Sequence, residues 1–244
     1  MKKIIFTIIA TLLLAYIGFT IFYFARQKRA DTVCKEVEII IADSLKKHFL
    51  SESDIVAYLK NRNVYPLNRE TGKINTDSIE KALMKNEIIE KAEVIQKNSG
   101  NIKIVVSQKM PILRVFTGGG NYFVDSSGKT MPTVPGQAIY VPVASGNIEK
   151  TFAVSQLYKF ALFLQNDAFW NDQIEQIYVR NENEVEIIPR VGDQTIILGS
   201  LENFEQKLRK LRLFYEQVIP RMGWEKYSVI NLRYKNQIVC TKKQ

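Results

Sequence analysis

From Ile4 to Ala25 the chain runs 22 positions without a charged residue. Coiled as a helix at 1.5 Å per residue, such a run is about 33 Å long, enough to cross the ~30 Å hydrocarbon layer of a bilayer. Phe22, Tyr23 and Phe24 crowd its end, where a cleaved signal peptide needs small residues. Aromatic rings there suit the membrane interface instead. Residues 1–25 are therefore expected to form a short stub and an uncleaved transmembrane helix. Lys2, Lys3 and the terminal amine balance Arg26, Lys28 and Arg29 on the far side, so flanking charge gives no orientation. Length does. A long downstream part crosses largely regardless of local charge, which puts the N-terminus in the cytoplasm and the globular part outside it.

The net charge of +9 suggests nucleic acid until it is located. Setting aside the five basic residues flanking the apolar run leaves 29 basic against 25 acidic side chains, about +4. That is a charge for solubility, and no block of it alternates with aromatics as a nucleic-acid groove would. Nucleic-acid binding is excluded on that footprint. Hydrophobic residues make up 46% of the chain, an ordinary proportion for a folded protein.

After a polar linker at 26–36, Val37–Ile41 is β-branched and reads as a strand. Ser51 stands three residues before Asp54, a capping box that opens a helix with Ile55, Val56, Tyr58 and Leu59 on one face. Thr76 or Asp77 is expected to cap a second helix with Ile79, Ala82 and Leu83 inside. Strands at Ala92–Gln96 and Ile102–Ser107 flank Asn98-Ser99-Gly100-Asn101, a hairpin signal. The order strand, helix, helix, strand, strand makes one unit over 37–110, closed by Met110-Pro111.

The texture then changes to short strands and glycine-rich turns over 111–244. Strands are expected at Ile112–Phe116 and Tyr122–Val124, separated by Gly118-Gly119-Gly120. Apolar spacing predicts a helix from Phe152 to Gln165. A three-strand meander follows at Ile174–Arg180, Glu184–Ile188 and Thr195–Leu198, with Glu184 and Glu186 on its wet face. Phe204, Leu208, Leu211, Tyr215 and Val218 make one stripe of a helix over Asn203–Ile219, which Pro220 should stop. Ser228–Leu232 and Gln237–Cys240 are the last expected strands.

Catalytic chemistry has little to stand on. His48 is the only histidine, and nothing nearby completes a triad or ligand set. Cys34 and Cys240 lie far apart in neither a metal nor a redox spacing, and a disulfide between them has no support. Gly128-Lys129-Thr130 lacks the glycine that a phosphate loop needs five residues earlier, where Phe123 stands. Glu182, Glu184 and Glu186 share a strand face as a solvated stripe. No enzyme class, metal site or cofactor is expected.

The order of these segments resembles the bacterial cell-division proteins FtsQ or DivIB. Val37 to Met110 is similar to a POTRA domain. It carries Ile88-Ile89-Glu90-Lys91-Ala92-Glu93-Val94, then a hairpin, Ile102-Lys103-Ile104-Val105-Val106 and Lys109-Met110-Pro111. The second part carries Val124-Asp125-Ser126-Ser127-Gly128-Lys129, similar to the family's Val-Asp-x-x-Gly turn. Leu198-Gly199 follows before a basic helix, and Ile230-Asn231-Leu232-Arg233-Tyr234 stands near the end. The resemblance implies an α+β fold: a transmembrane helix, a POTRA-like βααββ domain over 37–110, and a larger mixed α/β domain over 111–244 whose sheet is mainly antiparallel.

The function implied is a non-enzymatic, single-pass divisome scaffold of the inner membrane, with its globular part in the periplasm at the septum. It would recruit and position the FtsB–FtsL pair for septal peptidoglycan synthesis and meet other division proteins through the POTRA-like domain. The resemblance places partner binding at the edge of the last strand, on Arg233, Tyr234, Asn236, Gln237, Ile238, Val239, Cys240 and Thr241. An unpaired edge can accept an added strand, which agrees with that placement. Two other readings compete: a membrane-anchored POTRA-type envelope assembly factor, and a protein that binds or processes peptidoglycan.

Overall fold

Ser51 caps the helix after it as its spacing to Asp54 requires. The Ser51 hydroxyl accepts from the Asp54 amide at 3.2 Å while the Ser51 amide donates to Asp54 Oδ2 at 2.8 Å. The computed structural model in which this is seen describes residues 9, 11–23, 33–42, 49–134 and 139–243. His48 and most of the 26–36 linker lie outside the described residues. The chain divides into two units, Met1–Gln108 and Lys109–Gln244.

In the first unit, residues 11–23 form helix α1, with Leu12, Leu14, Tyr16, Phe19, Ile21 and Phe22 all exposed. Among the described residues no helix is long and apolar enough to cross a membrane, and the rest of the 4–25 run lies outside them. Next come β1 (Val37–Ile41), α2 (Glu52–Asn61), α3 (Thr76–Leu83), β2 (Ile89–Gln96) and β3 (Ile102–Gln108). The sheet order is β1-β3-β2, with β1 parallel and β2 antiparallel to β3. Ile55, Leu59, Ile79, Leu83, Ile102, Ile104 and Val106 form the core between helices and sheet. Buried Gln108 accepts from the amides of Phe49 and Leu50, both at 2.7 Å, pinning the entry to α2 against β3.

The cap of α3 is Asn75, not Thr76 or Asp77. Its Oδ1 accepts from the Ser78 amide at 2.9 Å. Asn, Thr and Asp serve this position almost equally, so the local sequence could not choose. Strand β2 begins three residues earlier than expected, and its outer edge is partly taken: Glu80 Oε1 of α3 accepts from the Val94 amide at 2.7 Å.

The second unit contains β4 (Pro111–Thr117), β5 (Gly120–Asp125), β6 (Thr130–Pro132) and β7 (Val143–Gly146). Helical segments α4 (Lys150–Phe152), a π-helical turn (Ala153–Leu157), α5 (Tyr158–Asn166) and α6 (Ala168–Gln173) follow. Then come β8 (Ile174–Asn181), β9 (Glu184–Pro189), β10 (Thr195–Gly199), α7 (Phe204–Gln217), α8 (Ile219–Met222), β11 (Tyr227–Asn231) and β12 (Val239–Lys242). One nine-stranded sheet runs in the order β12-β11-β10-β9-β8-β7-β4-β5-β6. It is mixed, because β4–β7, β7–β8 and β10–β11 pair in parallel. Five of its eight strand pairs are antiparallel, so the sheet is mainly antiparallel as expected, with three parallel pairs set into it. Strand β7 is four residues of Val-Ala-Ser-Gly, too short and small to announce itself, and the parallel pairs β7–β8 and β10–β11 are each joined by a helical crossover.

Those crossovers put the helices on one face. Phe160, Ala161 and Leu164 of α5 and Leu208, Leu211 and Tyr215 of α7 pack on Val115, Ile177, Val185, Ile187 and Ile196. Phe204 joins the two helices, with its ring edge-on to Phe160 and Phe163 at 5.2 and 5.3 Å. The other face stays polar: Arg180 pairs with Glu186 at 2.8 Å, as the alternation in β9 predicted. Two proline readings change. Pro111 is the first residue of β4, where no ladder amide is lost, and Pro220 sits in the first turn of α8 after α7 has ended.

Candidate partner-binding edge

Strand β12 is the last in the sheet and, among the described residues, pairs antiparallel with β11 alone, through Asn231↔Val239, Ile230↔Cys240 and Val229↔Thr241. The strand starts two residues later than its sequence suggests. Arg233, Tyr234 and Asn236 therefore lie in the loop before it, Gln237 and Ile238 lead in, and Val239, Cys240 and Thr241 are in the strand itself. All eight sequence-predicted residues thus share one continuous margin. Ile238 and Cys240 turn inward against the core, while Val239 is 43% exposed and Thr241 is exposed beside it. Partial burial pushes the Cys240 thiol pKa up, so it is not an activated nucleophile. Cys34, buried in the first unit, is also a free thiol.

The margin is held from both ends. Before the strand, Asn231 Oδ1 accepts from the Arg233 amide at 3.1 Å, making a local turn. Lys210 of α7 donates to the carbonyls of Tyr234 and Lys235 at 2.7 and 3.1 Å. Gly199 has φ +72, and a side chain there would press its Cβ to 2.7 Å from Arg233 Cγ. Glycine is needed at that point for both conformation and approach. After the strand, Lys243 donates to Asp193 Oδ2 at 3.0 Å and Glu225 Oε2 at 3.1 Å, and both bonds raise its pKa. Sequence reasoning named neither carboxylate, because the contacts join segments 50 and 18 residues away.

The Val-Asp-x-x-Gly motif is structural. Asp125 Oδ1 accepts from the Ser127 amide and hydroxyl and the Lys129 amide, and Gly128 takes φ +79 under the Tyr158 ring. That closes a hairpin turn, as expected for Gly128-Lys129-Thr130. Among the described residues no group of three or more His, Cys, Asp or Glu side chains could hold a metal ion.

Residues 110–241 match the family described as FtsQ/DivIB, C-terminal related. The chain belongs to the FtsQ/DivIB family. Residues 32–107 match a POTRA-like domain. A similar curated protein is the cell division protein FtsQ of Rhodothermus marinus, 25% identical over 162 residues, which are 62% of this chain and 59% of that protein. Among solved structures, the major extracytoplasmic domain of the division protein DivIB from Geobacillus stearothermophilus is similar at 13% identity with a TM-score of 0.34. The alignment covers 46% of this chain and 96% of that one. The chain thus spans about three fifths of the length of the curated relative it matches.

Proposed function

We propose that the chain is a single-pass divisome scaffold of the inner membrane that binds the FtsB–FtsL pair by adding an extended partner segment to β12. The carrying observation is that β12 ends the sheet and spends only one side on β11. Its other side offers peptide N–H and C=O groups, and such groups reward an added strand. By contrast, β2 of the first unit has part of its edge engaged by Glu80. At the far margin of the larger sheet, β6 is three residues long and ends in Pro132. Of these, β12 is the edge with neither a side chain on a strand amide, among the described residues, nor a proline at its end.

Membrane attachment follows from the apolar run. Its described part is helical and exposes large apolar side chains all round, the pattern of a helix meant for lipid. Anchoring raises the effective concentration of partners in the same membrane, so a short edge interface suffices. The globular part lies in the periplasm at the septum, the second unit binds the pair, and the POTRA-like unit meets other division proteins. Replacing Val239 with Pro tests this: the full chain should keep its circular dichroism and lose capture of FtsB–FtsL. Val239→Glu, which keeps the amide but charges the exposed position, should weaken capture. A folded Val239→Pro chain that captures normally would remove the edge from the account.

A further inference from the structure

At the carboxyl ends of the parallel strands β10 and β11 lies a cleft of about 620 Å³ that shares Arg233 and Tyr234 with the proposed partner-binding margin but draws most of its walls from α7 and the loop before it. Strand β10 leads into α7, and the chain returns through β11, so the cleft stands where a strand–helix–strand crossover opens. Crevices at the carboxyl ends of parallel strands are the usual ligand positions in such units. Its walls bring together Lys207, Arg209 and Lys210 from α7 with Arg233 and Lys235 from the loop after β11. Glu202 is the single carboxylate in the lining. Among the described residues none of these five cations makes an ion pair, although Arg180, Arg212 and Lys243 elsewhere in the unit do.

Five positive charges in a half-enclosed cleft repel one another, and nothing in the local fold requires all of them. Lys207 and Lys210 are only partly exposed. Lys207 donates to the Ser200 carbonyl at 2.6 Å, and Lys210 to the carbonyls of Tyr234 and Lys235. An ammonium has three donors, so both keep N–H groups to spare, and two guanidinium forks add more. Burial holds the Lys207 pKa below its usual value, the expected mark of a cation set aside from bulk water.

We propose that this cleft binds a phosphate-type oxoanion, with Lys207, Lys210, Arg209 and Arg233 as its charged donors. Donors converge from a helix and from the loop after β11, which suits a tetrahedral group with several acceptor oxygens better than a planar carboxylate. The volume exceeds one phosphate and accommodates a diphosphate or a phosphate ester. The site stands on α7 and does not depend on β12 accepting a strand.

The test uses the full chain in neutral detergent micelles and follows thermal unfolding. Pyrophosphate at about ten times its Kd should raise Tm by about 3–6 °C beyond sodium chloride at matched ionic strength. Arg209→Gln and Lys207→Gln should each weaken the response by about tenfold. Arg209 is exposed and makes no packing contact described above, so its variant remains informative if Lys207→Gln disturbs the fold. A response to phosphatidate-doped micelles but not to free pyrophosphate, lost in both variants, would support the site and assign the phosphate to a lipid headgroup. No response in either arm, or one that the variants leave intact (an adventitious ion only), overturns the proposal. FtsB–FtsL capture by the same variants distinguishes this outcome from failure of the β12 edge.

Discussion

Single side chains do unequal work in this protein. Gln108 is buried and its oxygen serves two backbone amides, so Gln108→Leu strands both donors in an apolar setting. The expected cost is about 1–3 kcal/mol in chemical unfolding, and a change below a few tenths would mean water replaces the bonds. Tyr215 is 5% exposed, and burial pushes its pKa up to about 12 from 10.0. The neutral phenol is the form the fold favours, so its contribution is complete below pH 10. It is lost as the pH rises from 10 toward 12, where the unfolded chain ionises first. Stability measured across that window should fall more steeply in the wild type than in Tyr215→Phe, and equal slopes would contradict the burial argument. The sequence placed Tyr215 on the inner stripe of α7 but could not show the depth of that stripe. Trp224, 5.0 Å from the Tyr215 ring centre, arrives from another element.

Elements were legible where a local rule has one solution. The Ser51–Asp54 box is such a case, and Ser51→Ala should cost about 1 kcal/mol by removing its side-chain bond to the Asp54 amide. Thermal unfolding of the variant checks it, and an unchanged midpoint would show that the cap is replaced by solvent. The meander β8–β9–β10 was equally readable, because alternation in β9 fixes which side is wet. Legibility failed where competing local solutions tie or where distance matters. Asn75 outranks its neighbours as a cap only in the folded chain. The π-helical turn at Ala153–Leu157 interrupts a run whose apolar spacing reads as one helix. Strand β7 is specified by its parallel neighbours β4 and β8, not by its own four residues. The margin residues 233–241 were named from resemblance, and only the fold shows that six of them precede or begin a strand starting at Val239.

At the scale of the whole molecule, the chain combines an apolar helix, a POTRA-like unit and a mixed-sheet unit whose last strand is paired on one side among the described residues. Family membership supports the division role. The physical content is narrower and rests on hydrogen bonds that β12 has not spent. Backbone pairing is measured directly by hydrogen–deuterium exchange. The full chain should be exchanged with and without the purified FtsB–FtsL pair. The amides of Val239–Lys242 that face away from β11 should become protected on binding, by about tenfold or more in exchange rate if each gains a bond of ordinary net strength. Tight binding with exchange at β12 unchanged, and protection confined to other surfaces, would contradict the central claim.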